Sequence, residues 1–437
     1  MKTHQSSNAL PTSIFDNPDL AVEHIATMTA KLFGSYAAMQ SVHDVEVGTA
    51  PKDVVYEDGK LKLYHFRPQP GVRQSVQTPV LVVYALVNRP YMLDLQPDRS
   101  MIRNFLAQGL DVYMIDWGYS TKADRFTTLD DYVSGYIGGC VRHIQRTTGF
   151  DKISLVGICQ GGTLSTIYST LYPEDVNALI PIATPIDFST NEGLLFHWAK
   201  SLDVDAIVDA FGVVPDTFLN AGFLMVKPFA RLEKYAAALD LHDESEKLHN
   251  FLRMEQWIFD SPAQAGECLR QFVKDLYQEN RLVKGTLQLG KRTATLKNLT
   301  MPLLNVYASN DHIVPPSATV PLNEYAASDD KTLLEISGGH IGIFVGAKAQ
   351  RELAPKIAEW LKHRDGAAKA RQQARLRTPA KSSSDHNHQT PSPSAAAPKT
   401  PKTPKTPKTT PSNSQTLPHA PVSGRSSSTS KRARARV

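Results

Sequence analysis

Cysteine is scarce in this sequence: Cys140, Cys159 and Cys268 are the only three in 437 residues. Three thiols cannot build a disulfide framework, and their spacing matches no structural metal site. No run of about 18 consecutive apolar residues occurs, so a membrane-spanning helix is not expected. Met1 to Ser13 carries no apolar core of the kind a secretory signal needs, and a reducing cytoplasm is the expected compartment. A Gly-rich phosphate loop and a cluster of metal-ligating side chains are also lacking, so neither a bound cofactor nor a metal is expected. Beyond residue 364 there is no Phe, Trp or Tyr at all.

That last absence coincides with a change of charge. Residues 365–437 hold 14 Lys/Arg against two Asp, a net +12, and 10 of the 29 prolines. The rest of the chain has 34 basic and 41 acidic residues, a net −7. The repeat at Pro398–Thr409 (PKTPKTPKTPKT) and the terminal Lys431–Arg436 (KRARAR) are low in complexity. Such a segment buries too little apolar surface to offset its conformational entropy, so 365–437 is read as a disordered basic tail. It is either a solvated extension or an arm making weak, sequence-independent contacts with nucleic acid or another polyanion.

The body is patterned. After a flexible start (1–17), residues 18–40 place Val22, Ile25, Met28, Leu32, Phe33 and Tyr36 on one helical face, for packing on the body or docking a partner. Asp53–Glu57 and Leu61–Phe66 flank Asp58-Gly59-Lys60, a hairpin signal. Apolar runs at Pro79–Ala85, Asp111–Trp117, Lys152–Ile158, Ala178–Thr184, Pro302–Ala308 and Lys331–Ile336 read as strands buried on both faces. Helical patterns lie between them at 99–108, 130–147, 161–172 and 347–363. This alternation predicts an α/β fold, a mostly parallel sheet with helices on both faces. It is interrupted over 187–300 by a helical, aromatic-rich stretch, read as a cap inserted between the two parts of the core, 18–186 and 301–364.

Chemistry concentrates at Gly157-Ile158-Cys159-Gln160-Gly161, directly after a strand pattern and directly before a helical one. That context suits a nucleophile elbow, in which the central residue rides a tight turn, glycines relieve crowding, and the helix N-terminus favours thiolate. By itself the motif would also fit a buried structural cysteine. Downstream, Asp311 follows the strand at Pro302–Ala308, and His340 follows the one at Lys331–Ile336. Nucleophile, acid, histidine is the chain order of an α/β-hydrolase triad, and each partner falls at the carboxyl end of its strand. Cys159 is therefore the candidate nucleophile, His340 the base and Asp311 its orienting acid. The Gln160 N–H and an N–H near Val87 are the candidate oxyanion donors. His312 adjoins the acid but follows the wrong strand for the base, and Cys140 and Cys268 read as packing residues.

Longer motifs go further. Val83–Met92 (VYALVNRPYM), Asp111–Gly118 (DVYMIDWG), Leu129–Tyr132 (LDDY), Gly157–Gly162 (GICQGG), Asp311–Pro316 (DHIVPP) and Gly338-Gly339-His340 resemble the catalytic subunit of class III polyhydroxyalkanoate synthases, over roughly residues 15–364. Class IV synthases look similar and use a different partner. The resemblance implies an acyltransferase that polymerises (R)-3-hydroxyacyl groups, such as 3-hydroxybutyryl, from coenzyme A thioesters, with CoA entering only as part of the substrate. It implies that Cys159 carries the chain as a thioester, and that Asp311 also helps activate the incoming 3-hydroxyl. A second synthase subunit, a homo-oligomer and a cytoplasmic polyester granule are the implied partners and location. A thioesterase or esterase with the same triad, or a non-catalytic granule scaffold, are the competing readings.

Overall fold

The chain first pairs with itself at Lys52–Asp58 (β1) and Leu61–Phe66 (β2), an antiparallel hairpin turning through Gly59 at φ +58°. A computed structural model describes residues 45–227, 234–241 and 244–377, together with positions 26, 27 and 29. Apart from those three positions the expected helix over 18–40 lies outside the described residues, as does the chain beyond 377.

Six further strands follow where the apolar runs stand: Val80–Val83 (β3), Val112–Asp116 (β4), Ile153–Ile158 (β5), Val176–Ile182 (β6), Leu303–Ala308 (β7) and Lys331–Ile336 (β8). They form one sheet in the order β1-β2-β4-β3-β5-β6-β7-β8. The pairs β1/β2 and β2/β4 are antiparallel, and every other pair is parallel. Side chains alternate between the faces as the pleat requires. Leu81 and Val83 join one core cluster, while Val80 and Val82 join the other. Burying each such side chain contributes roughly 1.5–3 kcal/mol, which is why the central strands carry almost nothing polar.

Helices cover both faces. Gly138–Thr148 (α2) and Gln160–Leu171 (α3) pack on the first cluster; Met101–Ala107 (α1) and the long Ala347–Arg377 (α9) pack on the second. Every residue of α3 is buried, and three of its hydroxyls donate to its own backbone, Ser165 to Gly161 O (2.8 Å), Ser169 to Ser165 O (2.7 Å) and Thr170 to Ile167 O (2.7 Å). Between β6 and β7 the chain is mostly helical: Leu194–Ser201 (α4), Val204–Phe211 (α5), Asp216–Val226 (α6), Ser245–Phe259 (α7) and Gly266–Gln271 (α8).

Three expectations need correction. The last strand, β8, is not buried on both faces: Lys331, Leu333 and Glu335 are exposed because β8 is an edge strand, paired with β7 alone. Its charged residues suit an unpaired edge. The pattern at 130–147 is not one α-helix, since Asp131–Ile137 winds as a π-helical segment before α2 begins. And the boundary at 364/365 is too early. Helix α9 continues to Arg377 through a sequence of strong helix formers, and Asp365 is a buried anchor. Its carboxylate accepts from Gln77 N–H (3.0 Å), Thr78 N–H (2.9 Å) and the Thr78 hydroxyl (2.7 Å), tying the helix to the approach to β3.

Candidate active site

Strand β5 ends at Ile158 and helix α3 begins at Gln160, so Cys159 alone turns one into the other. It does so at φ +52° and ψ −122°, a conformation that costs a non-glycine residue strain and persists only where the surroundings enforce it. The surroundings do. Its N–H donates to Ile182 O of β6 (2.9 Å), and its carbonyl accepts from the N–H groups of Gly162 (2.9 Å) and Thr163 (3.3 Å). The flanking glycines answer to backbone packing. A Cβ on Gly157 would stand 2.4 Å from Gly162 Cα, and one on Gly161 would stand 2.2 Å from Val83 O.

Parallel registry carries the other two candidates to the same edge. Ile158 pairs with Ile182, Ile182 with Val306, and Val306 with Leu334, so β5, β6, β7 and β8 end side by side. In the loop after β7, Asp311 Oδ1 accepts from the N–H groups of Ile313 (2.9 Å) and Val314 (2.8 Å). Its Oδ2 accepts from His340 Nδ1 at 2.6 Å. Asn310 N–H donates to Gly338 O (2.9 Å), which stitches the acid loop to the histidine loop. With Nδ1 committed to Asp311, the remaining ring nitrogen of His340 is the one that meets the Cys159 thiol, within hydrogen-bonding reach.

Both Asp311 and His340 are buried. Burial is the largest influence on the His340 ring and works against its proton. The charge of an ionised Cys159, the hydrogen bonds to Asp311 and Cys159, and the Asp311 charge together outweigh it and raise the ring to about 10. The arrangement therefore sets a charged His340 ring beside Cys159, ready for proton exchange between the two. His312 is placed differently. It is a half-buried ring whose pKa is lowered, first by burial and then by the Lys227 ammonium. Cys140 and Cys268 are buried, and burial pushes both thiols well above the usual range.

At the opposite rim the Gln160 side chain accepts the Leu86 N–H at 3.1 Å, so the loop after β3 is joined to the first residue of α3. Val87, the next residue, is half-buried against the second core cluster, which Cys159 also touches.

Sequence reasoning missed several residues here. Tyr84, the residue after β3, and Tyr277, from the helical stretch, lie within electrostatic reach of Cys159; burial first, then the Cys159 charge, pushes both phenols upward. Asp187 was missed too. Its Oδ1 accepts from Ser189 N–H (2.9 Å), the Ser189 hydroxyl (2.6 Å) and Asn280 Nδ2 (2.9 Å), and its Oδ2 from the Tyr325 hydroxyl (2.9 Å). Both roots of the helical stretch are thereby fastened to the sheet domain. Aromatic content alone flagged this region; no periodicity singled out these positions.

Relatives of this chain are informative. The alpha/beta hydrolase fold family matches residues 78–347, and the family described as poly-beta-hydroxybutyrate polymerase (PhaC) N-terminus matches residues 13–105. The chain is 46% identical over 348 residues to the poly(3-hydroxyalkanoate) polymerase subunit PhaC of Allochromatium vinosum, covering 79% of this chain and 98% of that one. It belongs to the PhaC polymerase family. The PhaC subunit of a Synechocystis species is also 46% identical, over 77% of this chain and 91% of its own length. That of Haloferax mediterranei is 39% identical over 78% of this chain and 70% of its own. These PhaC relatives each match more than three quarters of this chain.

Proposed function

We propose that this protein polymerises (R)-3-hydroxyacyl groups, 3-hydroxybutyryl among them, from their coenzyme A thioesters, with Cys159 holding the growing chain. The observation that carries this reading is Cys159 on its strained turn, within reach of a buried His340 whose Nδ1 is held by Asp311 at 2.6 Å. The thiolate attacks the thioester carbonyl, and the oxyanion meets the N–H groups of Gln160 and Val87 at the N-terminus of α3. The carbonyl re-forms, the bond to CoA breaks, and the CoA thiolate leaves with the proton from His340. In the second half His340 takes the proton of an incoming 3-hydroxyl, Asp311 stabilising the imidazolium, and the alkoxide attacks the Cys159 thioester. An oxoester forms, the C–S bond breaks, and the thiolate returns to its starting pair.

Thiol exchange between CoA and Cys159 is close to thermoneutral, whereas thioester to oxoester runs downhill and drives elongation. Water must be kept out for this to prevail over hydrolysis. The aromatic group of Phe188, Phe196, Phe272 and Tyr277 in the helical stretch is suited to that, its ring centroids 4.7–6.1 Å apart. No cofactor is needed, since CoA arrives with the substrate. The reading extends to a class III assembly with a second synthase subunit, to homo-oligomers, and to a site of action at polyester granules in the cytoplasm. No helix among the described residues is long and apolar enough to cross a membrane.

The test supplies (R)-3-hydroxybutyryl-CoA and follows both CoA and product. Insoluble polyester, abolished by Cys159→Ala, is expected. Free 3-hydroxybutyrate as the sole product would make the protein a thioesterase, and polymer formation by Cys159→Ala would remove the nucleophile.

A further inference from the structure

Four non-glycine residues among the described ones have positive φ, and two of them border the reaction centre: Cys159 and Asn88 (φ +59°). Asn88 is one residue past Val87. Asparagine tolerates this left-handed conformation better than most side chains, but glycine would tolerate it at no cost, so the conformation alone does not ask for a carboxamide. The carboxamide is used elsewhere. Its Nδ2 donates to the Ser261 hydroxyl at 2.6 Å and lies 3.3 Å from Trp257 O and 3.5 Å from Ile258 O. Those carbonyls belong to the last turn of α7, where no intrahelical N–H remains to satisfy them. Asn88 therefore caps the carboxyl end of α7 from outside.

The contact is reciprocated. Trp257 Nε1 donates to Arg89 O at 2.9 Å, and the Tyr91 hydroxyl donates to Asp260 Oδ2 at 3.0 Å. Residues 88–91 are thus laced to 257–261. On the other side of Val87, the Leu86 N–H is committed to the Gln160 side chain. The peptide that presents the Val87 N–H is held between two anchors, one on the nucleophile's own helix and one on α7.

We propose that Asn88 is a positioning residue for acyl transfer: by bonding the end of α7 while holding a left-handed backbone, it aims the Val87 N–H at the oxyanion. This rests on the reading of Cys159 as nucleophile. An N–H displaced by a fraction of an ångström loses much of its worth to a developing charge, because the benefit lies in being oriented before the charge forms. The ground-state thiol does not use that N–H.

Asn88→Gly separates the two functions of the residue, since glycine keeps the backbone and loses the carboxamide. With (R)-3-hydroxybutyryl-CoA, kcat for CoA release is expected to fall about thirtyfold or more, with KM within about threefold of wild type. Alkylation of Cys159 by iodoacetamide at pH 7 is expected to proceed at the wild-type rate. Ser261→Ala, which removes the partner at 2.6 Å, is expected to lower kcat in the same sense by a smaller factor. A wild-type kcat in Asn88→Gly overturns the proposal. So does a fall in kcat matched by an equal slowing of alkylation, or a rise in KM alone. If Asn88→Gly does not fold, Ser261→Ala decides: a folded variant with wild-type kcat overturns the assignment. Turnover by Cys159→Ala would bring down the nucleophile reading itself, whereas its loss beside an unimpaired Asn88→Gly defeats only this inference.

Discussion

Asp311 and His340, 29 residues apart in the chain, meet at 2.6 Å through Oδ2 and Nδ1. That contact orients the ring and is one of the interactions that raise its pKa, so removing it has a signed consequence. The hydrogen bond to Asp311 and the Asp311 charge both raise the His340 pKa. In Asp311→Asn the ring gives up its proton at lower pH, and Cys159 loses its counter-charge. Alkylation of Cys159 by iodoacetamide at pH 7 is expected to slow by about tenfold. The difference should shrink as pH rises past about 8.5, where an ordinary thiol ionises without help. Equal rates at pH 7 would mean that Asp311 does not govern the ring.

Backbone packing beneath the turn leaves no room for a methyl group. Gly161→Ala would place Cβ 2.2 Å from Val83 O and 2.4 Å from Tyr84 O. A loss of about 2–4 kcal/mol is expected, read as a lowered denaturation midpoint or as insoluble protein. Gly59→Ala is the contrast: nothing lies within 4 Å, and only its φ of +58° resists, at about 1–2 kcal/mol.

Asp365 serves the fold although it lies beyond the apparent end of the body. Asp365→Ala leaves the Thr78 hydroxyl and the N–H groups of Gln77 and Thr78 without their acceptor. About 2–3 kcal/mol of stability is expected to go, measured by urea unfolding with an unchanged slope. Truncation after Arg364 should be destabilising to a similar degree, and truncation after Arg377 should not.

The basic segment beyond Arg377 is a separate matter of electrostatics. If the segment is a polyanion-binding arm, full-length protein retards duplex DNA in gels, a 1–377 truncation does not, and the retardation fades as salt is raised; if it is a solvated extension, neither protein retards DNA. Retardation that survives truncation would place the contact on the body instead.

The candidate triad was legible in the chain because its motifs are written locally. Gly157-Ile158-Cys159-Gln160-Gly161 sits between a strand pattern and a helical one, and Asp311 and His340 each follow a recognisable apolar run. Runs of β-branched and aliphatic residues marked the strands, since burying both faces excludes polar side chains. What these elements do to one another was not legible. That β8 is an edge strand follows from the order of the sheet; Lys331 and Glu335 hint at an unburied face but do not say which strand lies outermost. Asp365 finds its partners nearly three hundred residues back in the chain, at Gln77 and Thr78, and Asn88 finds Ser261 across the helical stretch. Hydrophobic periodicity reports which face of an element is buried; it carries no information about which distant polar group meets it there. A candidate nucleophile and its order in the chain could be read from residues, whereas the polar groups that meet around it depend on which backbones the fold brings together.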